Sequence, residues 1–417
     1  MINNYICTLD IGSSKLAGCV ARVRKANLEE VFFDTVLSKG IKRGVVIDSA
    51  EFVSSITMLL KNLRKKSGIN IRLLYADISG TNITTNRSRS CIALTERGNK
   101  VVTTQDINRA INEARILGTS LDEEIIHSIP YGYSIDSQVE VRNPLGLYSH
   151  RLEAELYLIS AKLSSVQNLT RIINQAGCEI RERFFSCIAT SEAVHNKEFL
   201  SSNIVVCDIG SDITEIMFFE AGSLKAVEIL GIGGNDLTEQ LSLNFKIPFE
   251  LAEDIKRSCG LITEPEYIAE DKEILVRRDS FYKPIKQREV SRITSEKAKE
   301  ICQSIKEAIE KKIPLYEVNY FIVTGRSVLL EGFIETMENI LNVPVKTGRI
   351  TNSLLTSLIK ENPELSGHKY LTYITSLGML LIALRGTFLE CRLSPATVGT
   401  FLSKALSRIK EVYQEYF

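Results

Sequence analysis

The residues best placed for chemistry sit in two short turns. Positions 10–15 read Asp-Ile-Gly-Ser-Ser-Lys and positions 208–214 read Asp-Ile-Gly-Ser-Asp-Ile-Thr, inside the apolar runs 5-YICTLDIGSSKLAGCVA-21 and 203-NIVVCDIGSDITEIMFF-219. Each run predicts a strand, a tight turn and a second strand. In such a turn glycine lets the main chain approach an anion, hydroxyls and N–H groups donate to it, and the aspartate handles a metal ion or water. A single copy is an ordinary turn. Two copies predict a duplicated fold that closes on one ligand from both sides.

The intervening elements must hold those turns. Phe52, Ile56, Leu59, Leu60 and Leu63 follow helical spacing within 49–68, with Gly68 as a stop, and 71-IRLLYADISG-80 reads as a strand. Strands wrapped by helices make an α/β layer design. From Thr81 to about 163 the texture changes to polar turns and short strands around a helix at 104–118, which predicts a small inserted α+β unit. A strand at 152–160 and a helix at 164–177 follow. Glycines at 231–234 lead into an amphipathic helix, and 320-YFIVTGRSVLLEG-332 reads as a buried strand ending in a glycine turn where a ligand could lie. The charged stretch 271–292 is the most irregular sequence, either a solvated surface or a specific binding face.

Composition narrows the function classes. A chain of 417 residues predicts at least two domains, and 44% hydrophobic with 24% charged residues is ordinary for a soluble globular protein. The 51 basic and 51 acidic side chains cancel, so charge gives no case for nucleic acid as a partner. Nine scattered cysteines without a C-x-x-C pair fit a reducing cytoplasm. The N-terminus lacks the pattern of a signal peptide, and 371-LTYITSLGMLLIAL-384 is too short for a membrane span and reads as a buried helix. His127, His150, His195 and His368 lack metal-ligand spacing; His127 reads as structural, and no transition metal is expected.

Taken in order, the motifs resemble the actin-like ATPase superfamily and, within it, the FtsA family of bacterial cell-division proteins. Residues 10-DIGSSK-15 and 208-DIGSDIT-214 look like the two phosphate loops. The stretches 231-GIGGNDLTEQL-241 and 252-AEDIKRSCG-260 are similar to the family's G-G-N-x-x-T and A-E-x-x-K-x-x-x-G patterns. Residues 127-HSIPYGYSID-136 and 143-NPLGLYSHRLEAELYLIS-160 resemble signatures of the inserted subdomain 1C, which replaces actin subdomain 1B. The resemblance implies a duplicated actin-like (RNase H-like) α/β fold, two lobes around a nucleotide cleft. It places subdomain 1A at 1–80 and 164–199, 1C at 81–163, 2A at 200–235 and 314–392, 2B at 236–313, and a short linker with a C-terminal amphipathic helix at 393–417.

The resemblance also implies roles for residues. ATP lies between the turns, with Asp10, Gly12, Ser13, Ser14 and Lys15 on one side and Asp208, Gly210, Ser211, Asp212 and Thr214 on the other. Asp10 and Asp208 orient Mg²⁺ through its retained waters. Gly233, Gly234 and Asn235 pass close to phosphate and sugar at a helix N-terminus. Glu253 and Lys256 reach the ribose and adenine; their i, i+3 spacing also suits a surface ion pair. Gly325, Arg326 and Ser327 form the adenosine loop.

Several positions depart from the pattern. Ser211 and Asp212 replace two loop glycines, and a carboxylate near a polyphosphate is repulsive, so either Asp212 points away, or it joins the metal shell, or binding is weak. Arg326 and Ser327 stand where the adenosine loop has glycines, whose backbone conformations they cannot copy freely; the alternative is that the planar Arg326 guanidinium stacks on the adenine face. Ser186 and Cys187 stand where relatives often carry a polar residue before proline near the attacking water, so no catalytic residue is assigned and hydrolysis is expected to be slow or absent.

In the tail, Phe401, Leu402, Leu406, Ile409, Val412, Tyr413 and Tyr416 fall on one helical stripe with Lys404, Arg408 and Lys410 beside or opposite it. The family likeness makes this a membrane-targeting helix at the cytoplasmic side of the division site. It further implies filaments, other division proteins as partners, and the FtsZ C-terminal peptide bound through 2B, with Lys286, Arg288 and Arg292 as candidate contacts. The rivals are a PilM-like actin-fold module that grips a peptide of a membrane assembly, and a divergent FtsA paralogue with degenerate nucleotide binding. A sugar kinase would need an acidic base beyond Asp10 and Asp208, and none is evident.

Overall fold

Two five-stranded sheets carry the two turns, and their strand orders correspond. The computed structural model describes residues 5–24, 27–94, 100–137, 139–196, 199, 201–263, 268, 272–278 and 281–392. In the first sheet the order is Glu179–Phe185, Leu73–Ile78, Tyr5–Ile11, Lys15–Arg24 and Asn27–Leu37. In the second it is Val345–Thr347, Tyr320–Thr324, Asn203–Ile209, Thr214–Glu220 and Ser223–Leu230. In both, the strand before the turn runs antiparallel to the strand after it and parallel to its other neighbour. The duplication seen in the motif therefore extends to whole sheets, and the fold is the expected actin-like α/β one.

Apolar spacing sets how the helices cover these sheets. Ser49–Ser67 starts where Asp48 accepts the N–H groups of Ala50 and Glu51 at 2.9 and 3.0 Å, and it stops at Gly68, whose φ of +68° suits glycine. It buries Phe52, Ile56, Leu59, Leu60 and Leu63 with Cys7 and Leu9 of the first sheet. On the second sheet, Ile301, Ile305, Phe333 and Met337 from Gln287–Glu310 and Phe333–Leu341 do the same.

Ser186–Val194 and the first part of Ile374–Arg392, from Ile374 to Leu384, build the largest core among the described residues, which takes residues from both sheets: Ala17 and Cys19 from one, Val206 and Met217 from the other. The two helices approach so closely that a Cβ on Gly378 would sit 1.7 Å from the Ala189 carbonyl oxygen. Hydroxyls inside this core are paired: Thr8 Oγ1 donates to the Ser376 carbonyl at 3.2 Å, and Ser376 Oγ to the Ala17 carbonyl at 3.3 Å.

A separate four-stranded sheet, ordered Val139–Val141, Glu123–Ile135, Arg151–Lys162 and Ile83–Ala93, carries the helix Thr104–Leu117. It contacts both lobes. His127 Nε2 accepts the Phe185 N–H at 2.9 Å, and burial lowers the imidazole pKa to about 4, which keeps it the neutral acceptor that this bond needs. On the other side Tyr157 Oη accepts the Val227 N–H at 2.9 Å.

Three expectations change. The stretch 271–292 is not irregular: Glu273–Arg278 pairs antiparallel with Phe281–Lys286, and the long helix Gln287–Glu310 follows. Its charges masked residues such as Ile274, Val276, Phe281 and Tyr282 that favour strands. The strand expected over 320–332 ends at Thr324, because Gly325 turns with φ +97° into a short 3-10 segment, Ser327–Leu329. The helix expected over 371–384 begins only at Ile374, after a 3-10 segment Lys369–Tyr373. Among the described residues no helix is long and apolar enough to cross a membrane. The linker and tail, with Phe401, Leu402, Lys404, Leu406, Arg408, Ile409, Val412, Tyr413 and Tyr416, lie outside the described residues.

Candidate functional site

The two turns face each other across a cleft of about 370 Å³. In the first, the Gly12 N–H donates to the Lys15 carbonyl at 3.1 Å; in the second, the Gly210 N–H donates to the Ile213 carbonyl at 2.9 Å. This shared geometry pairs Ser14 with Asp212, Lys15 with Ile213 and Ala17 with Glu215 as structural counterparts. The hairpins are thus equal in backbone and unequal in charge. Of the nucleotide-site residues expected from sequence, all but Thr214 and Gly233 line the cleft. Thr214 is buried and donates to the Ile232 carbonyl at 2.9 Å, while Gly233 packs beneath the second turn, where a Cβ would lie 2.7 Å from the carbonyl oxygens of Gly210 and Ser211.

Like charges crowd both sides of the cleft. Burial, with the Asp208 carboxylate opposing the help of Lys15, raises Asp10 to about 6. Burial raises Asp208 despite the bond that Thr324 Oγ1 gives it at 2.9 Å. Burial and Asp10 push Asp77 well above the usual carboxylate range, although its Oδ1 accepts the Ile11 N–H at 2.7 Å. Glu215 reaches about 8 through burial and the nearby Asp208 and Asp10, against the Ser186 hydroxyl and the Gly80 amide. On the cationic side, burial and Arg326 lower Lys15, and burial and Arg257 lower Arg326. Lys15 Nζ lies 3.9 Å from Asp10 and donates to the Thr372 carbonyl.

Mg²⁺ and a polyphosphate fit this donor set. A divalent cation would relieve the carboxylates, and an anion would relieve Lys15 and Arg326. Among the described residues no three His, Cys, Asp or Glu side chains are placed to hold a metal ion by themselves, so protein ligation alone would be incomplete. Two carboxylates and retained waters suit Mg²⁺.

Five residues behave differently from the simplest expectation. Arg326 has φ −79° and ψ −24°, an ordinary helical conformation; only Gly325 needs the glycine region, with a Cβ there only 2.1 Å from the Ile209 carbonyl oxygen. Replacing the second loop glycine with arginine therefore strains nothing. The amides of Gly234 and Asn235, expected near phosphate, donate to the Gly210 and Ser211 carbonyls at 2.9 and 2.7 Å, and Gly233 N–H donates to Asp236 at 2.7 Å. This helix N-terminus is satisfied internally. Asp212 spans the cleft: its Oδ2 accepts the Arg43 N–H at 3.0 Å and its Oδ1 accepts the side-chain Nδ2–H of Asn235 at 2.7 Å.

Glu253 and Lys256 are no loose surface pair. Lys256 Nζ is buried and donates to the Gly234 carbonyl at 2.9 Å, to Thr238 Oγ1 at 2.8 Å and to Glu253 Oε2 at 2.6 Å. Burial lowers Lys256. Burial works against Glu253 ionisation, but Lys256, Thr238 and Arg257 together hold its carboxyl below the usual value. Of the partner candidates, Lys286 ends a strand, Arg288 donates to the Ile268 carbonyl at 2.9 Å, and Arg292 pairs with Glu296 at 3.0 Å; none lines the cleft.

Asp77, Arg257 and Glu215 line the cleft and escaped the sequence reading. An acid inside an apolar strand, as in 71-IRLLYADISG-80 and 214-TEIMFFE-220, was the available signal for two of them. Burying a carboxyl is costly, and a chain does so chiefly where it has a use.

Twin sheets with a ligand-sized cleft at their paired turns define an actin-like protein. Solved structures share the architecture: the PilM–PilN type IV pilus biogenesis complex (15% identity, TM-score 0.60, covering 91% of this chain and 98% of that one) and MreB 5 of Spiroplasma citri bound to AMPPNP (12%, 0.51, 92% and 99%). At such identities they show the fold alone. Family models for the SHS2 domain inserted in FtsA and for the cell division protein FtsA match residues 80–160 and 205–378. The chain is similar to the cell division protein FtsA of Borreliella burgdorferi (30% identity, covering 84% of this chain and 85% of the relative) and of Pseudomonas aeruginosa (25%, 91% and 89%). It belongs to the FtsA family of cell division proteins.

Proposed function

We propose that this protein binds ATP with Mg²⁺ between its lobes, assembles into filaments with its own kind on the cytoplasmic face of the membrane at the division site, and tethers FtsZ there together with other division proteins. The observation that carries the nucleotide part is the facing pair of turns, with cations and carboxyls lining one cleft and each short of counter-charge. Bound Mg²⁺-ATP supplies a polyphosphate and a divalent charge. Ser13, Ser14 and Lys15 donate to the phosphates, Asp10 and Asp208 order the waters of the metal, and Arg326 lies beside the base with Gly325 and Ser327. Glu253 and Lys256 shape the sugar side. The subdomain limits given above, 1A, 1C, 2A and 2B, are part of the proposal, as is binding of the FtsZ peptide on 2B around Lys286, Arg288 and Arg292.

The apolar stripe of 400–417 supports membrane attachment, since burial in the lipid interface scales with apolar area and is aided by neighbouring basic residues. A titration with labelled ATP in Mg²⁺ and again in chelator tests the cleft; saturable, Mg²⁺-dependent binding is expected, and its absence would refute this part. Liposome pelleting of the chain ending at Val398 should lose the membrane. Co-sedimentation with the FtsZ C-terminal peptide, set beside a PilN-type peptide, separates the family reading from its PilM-like rival.

A further inference from the structure

Arg326 stands in the loop 324-TGRSV-328 where the family's adenosine loop has glycine, and its side chain lines the cleft. Its Nη2 crosses to the other lobe and donates to Ser14 Oγ of the first turn at 3.4 Å, a long bond. Among the described residues the guanidinium makes no ion pair and no second hydrogen bond. The neighbouring cations are better engaged. Lys256 uses its three donors on Gly234, Thr238 and Glu253, Arg257 pairs with Glu253 at 2.7 Å, and Lys15 donates to the Thr372 carbonyl beside Asp10. Most donors of Arg326 are open to a ligand.

The surroundings call for an anion there. Desolvation within the cleft, then Arg257, lowers Arg326 despite Glu253 and Asp10, and desolvation with Arg326 added to it lowers both Lys15 and Lys256. The other charged departure in the cleft is Asp212, the counterpart of Ser14 on the second turn. It sets a negative charge beside any phosphate, and Arg326 sets a positive one. The two departures cancel in charge. A guanidinium stacked on a base would lie flat at its own loop's end of the cleft, with Gly325 and Ser327. The bond to Ser14 instead carries the fork to the turn that also holds Lys15.

We propose that Arg326 is a phosphate ligand and not a platform for the base: its loop flanks the nucleoside, while its fork reaches the first turn and donates to the phosphate that Ser14 also serves. This rests on the nucleotide reading. Ser14 Oγ accepts from Arg326 and keeps its own hydrogen for the anion, so the two groups converge on one phosphate. Two N–H groups of one planar fork match two phosphate oxygens, which the point charge of a lysine does not. Arg326 therefore selects ligands by their phosphates and is indifferent to the base.

The test uses the full chain with Mg²⁺ and the variants Arg326→Gln and Arg326→Lys. Arg326 is exposed to the cleft with an ordinary backbone conformation, so both variants should fold, and equal melting temperatures without nucleotide check this. Arg326→Gln should weaken labelled ATP at least about tenfold. Tripolyphosphate, a probe without a base, should compete with ATP on the parent and lose a similar factor in the variant. Adenosine, a probe without phosphate, should keep its affinity within about twofold. Arg326→Lys retains the charge without the fork and should fall between. One readout needs ATP alone: added salt should weaken binding to the parent more steeply than to Arg326→Gln, because the parent has one more charge contact to screen. If Arg326→Gln weakens adenosine as much as ATP and leaves tripolyphosphate and the salt dependence unchanged, the side chain stacks on the base and the inference falls. It also falls alone if ATP binds the parent and Arg326→Gln alike. If ATP does not bind the parent, the nucleotide reading falls and this inference with it.

Discussion

Four acids, Asp10, Asp77, Asp208 and Glu215, share the cleft, and their protons make stability depend on pH. Glu215 titrates at about 8 in the folded chain against an ordinary 4.5, and Asp10 at about 6 against 3.8, so the folded state holds extra protons and loses stability as pH rises through those values. Half-buried His127 and His195, both lowered to about 4 by desolvation, act oppositely below their ordinary 6.5. The carboxyl effect should therefore stand clear above neutrality. In chelator and without nucleotide, the melting temperature should drop between about pH 6.5 and 8.5, and Glu215→Ala should flatten that drop. A parent profile that is flat or rising there would contradict the buried cluster. Lys256 poses the opposite case, a cation whose three donors are all used. Lys256→Met leaves Glu253 with Thr238 and Arg257 alone and takes a donor from the Gly234 carbonyl inside a buried cluster, and should cost about 3 kcal/mol in urea denaturation. Lys256→Arg should not restore it, since a planar fork cannot reach three convergent acceptors.

At the scale of elements, the helix pair in the largest core depends on an absent side chain. Gly378 permits Ile374–Arg392 to lie on Ser186–Val194, and a Cβ there would meet the Ala189 carbonyl oxygen at 1.7 Å. Gly378→Val must separate the helices, so a loss of at least about 3 kcal/mol or insoluble expression is expected, while Gly367→Ala, in open space at φ +63°, should cost only about 1 kcal/mol. Denaturant midpoints of the two variants compare them directly. Such a contact illustrates what sequence could and could not disclose. The twin hairpins, the helix with Phe52 to Leu63 and the inserted unit were legible because periodic apolar residues and turn glycines act locally. Glu215 and Asp77 were hidden because an acid in a strand does not declare which face it takes or what lies opposite. The hairpin within 273–286 was hidden by its charges, and the amides at Gly234 and Asn235 looked free because their acceptors, Gly210 and Ser211, are distant in sequence.

For the whole molecule, the relation between the lobes decides what the cleft can admit, and contacts tie them without any ligand. Asp212 of the second sheet's turn accepts the Arg43 N–H from the first lobe, and Tyr157 of the inserted sheet accepts the Val227 N–H of the second sheet. Asp212 is the tie that bears on nucleotide, because it holds the lobes together and also carries a charge of the same sign as a phosphate. Two unit charges about 5 Å apart at an effective dielectric of about 20 repel by about 3 kcal/mol, whereas a hydrogen bond to a charged group contributes about 1.5–3 kcal/mol. Repulsion should win narrowly. Asp212→Asn removes the charge and leaves an oxygen for the Arg43 N–H, so it should tighten Mg²⁺-ATP about tenfold, most visibly at low salt. Asp212→Gly loses the tie as well as the charge and should gain less. Titration of labelled ATP into the parent and both variants, at two salt concentrations, orders the three affinities; if Asp212→Asn binds no more tightly than the parent, its bonds to Arg43 and Asn235 hold the carboxylate's charge away from the phosphates.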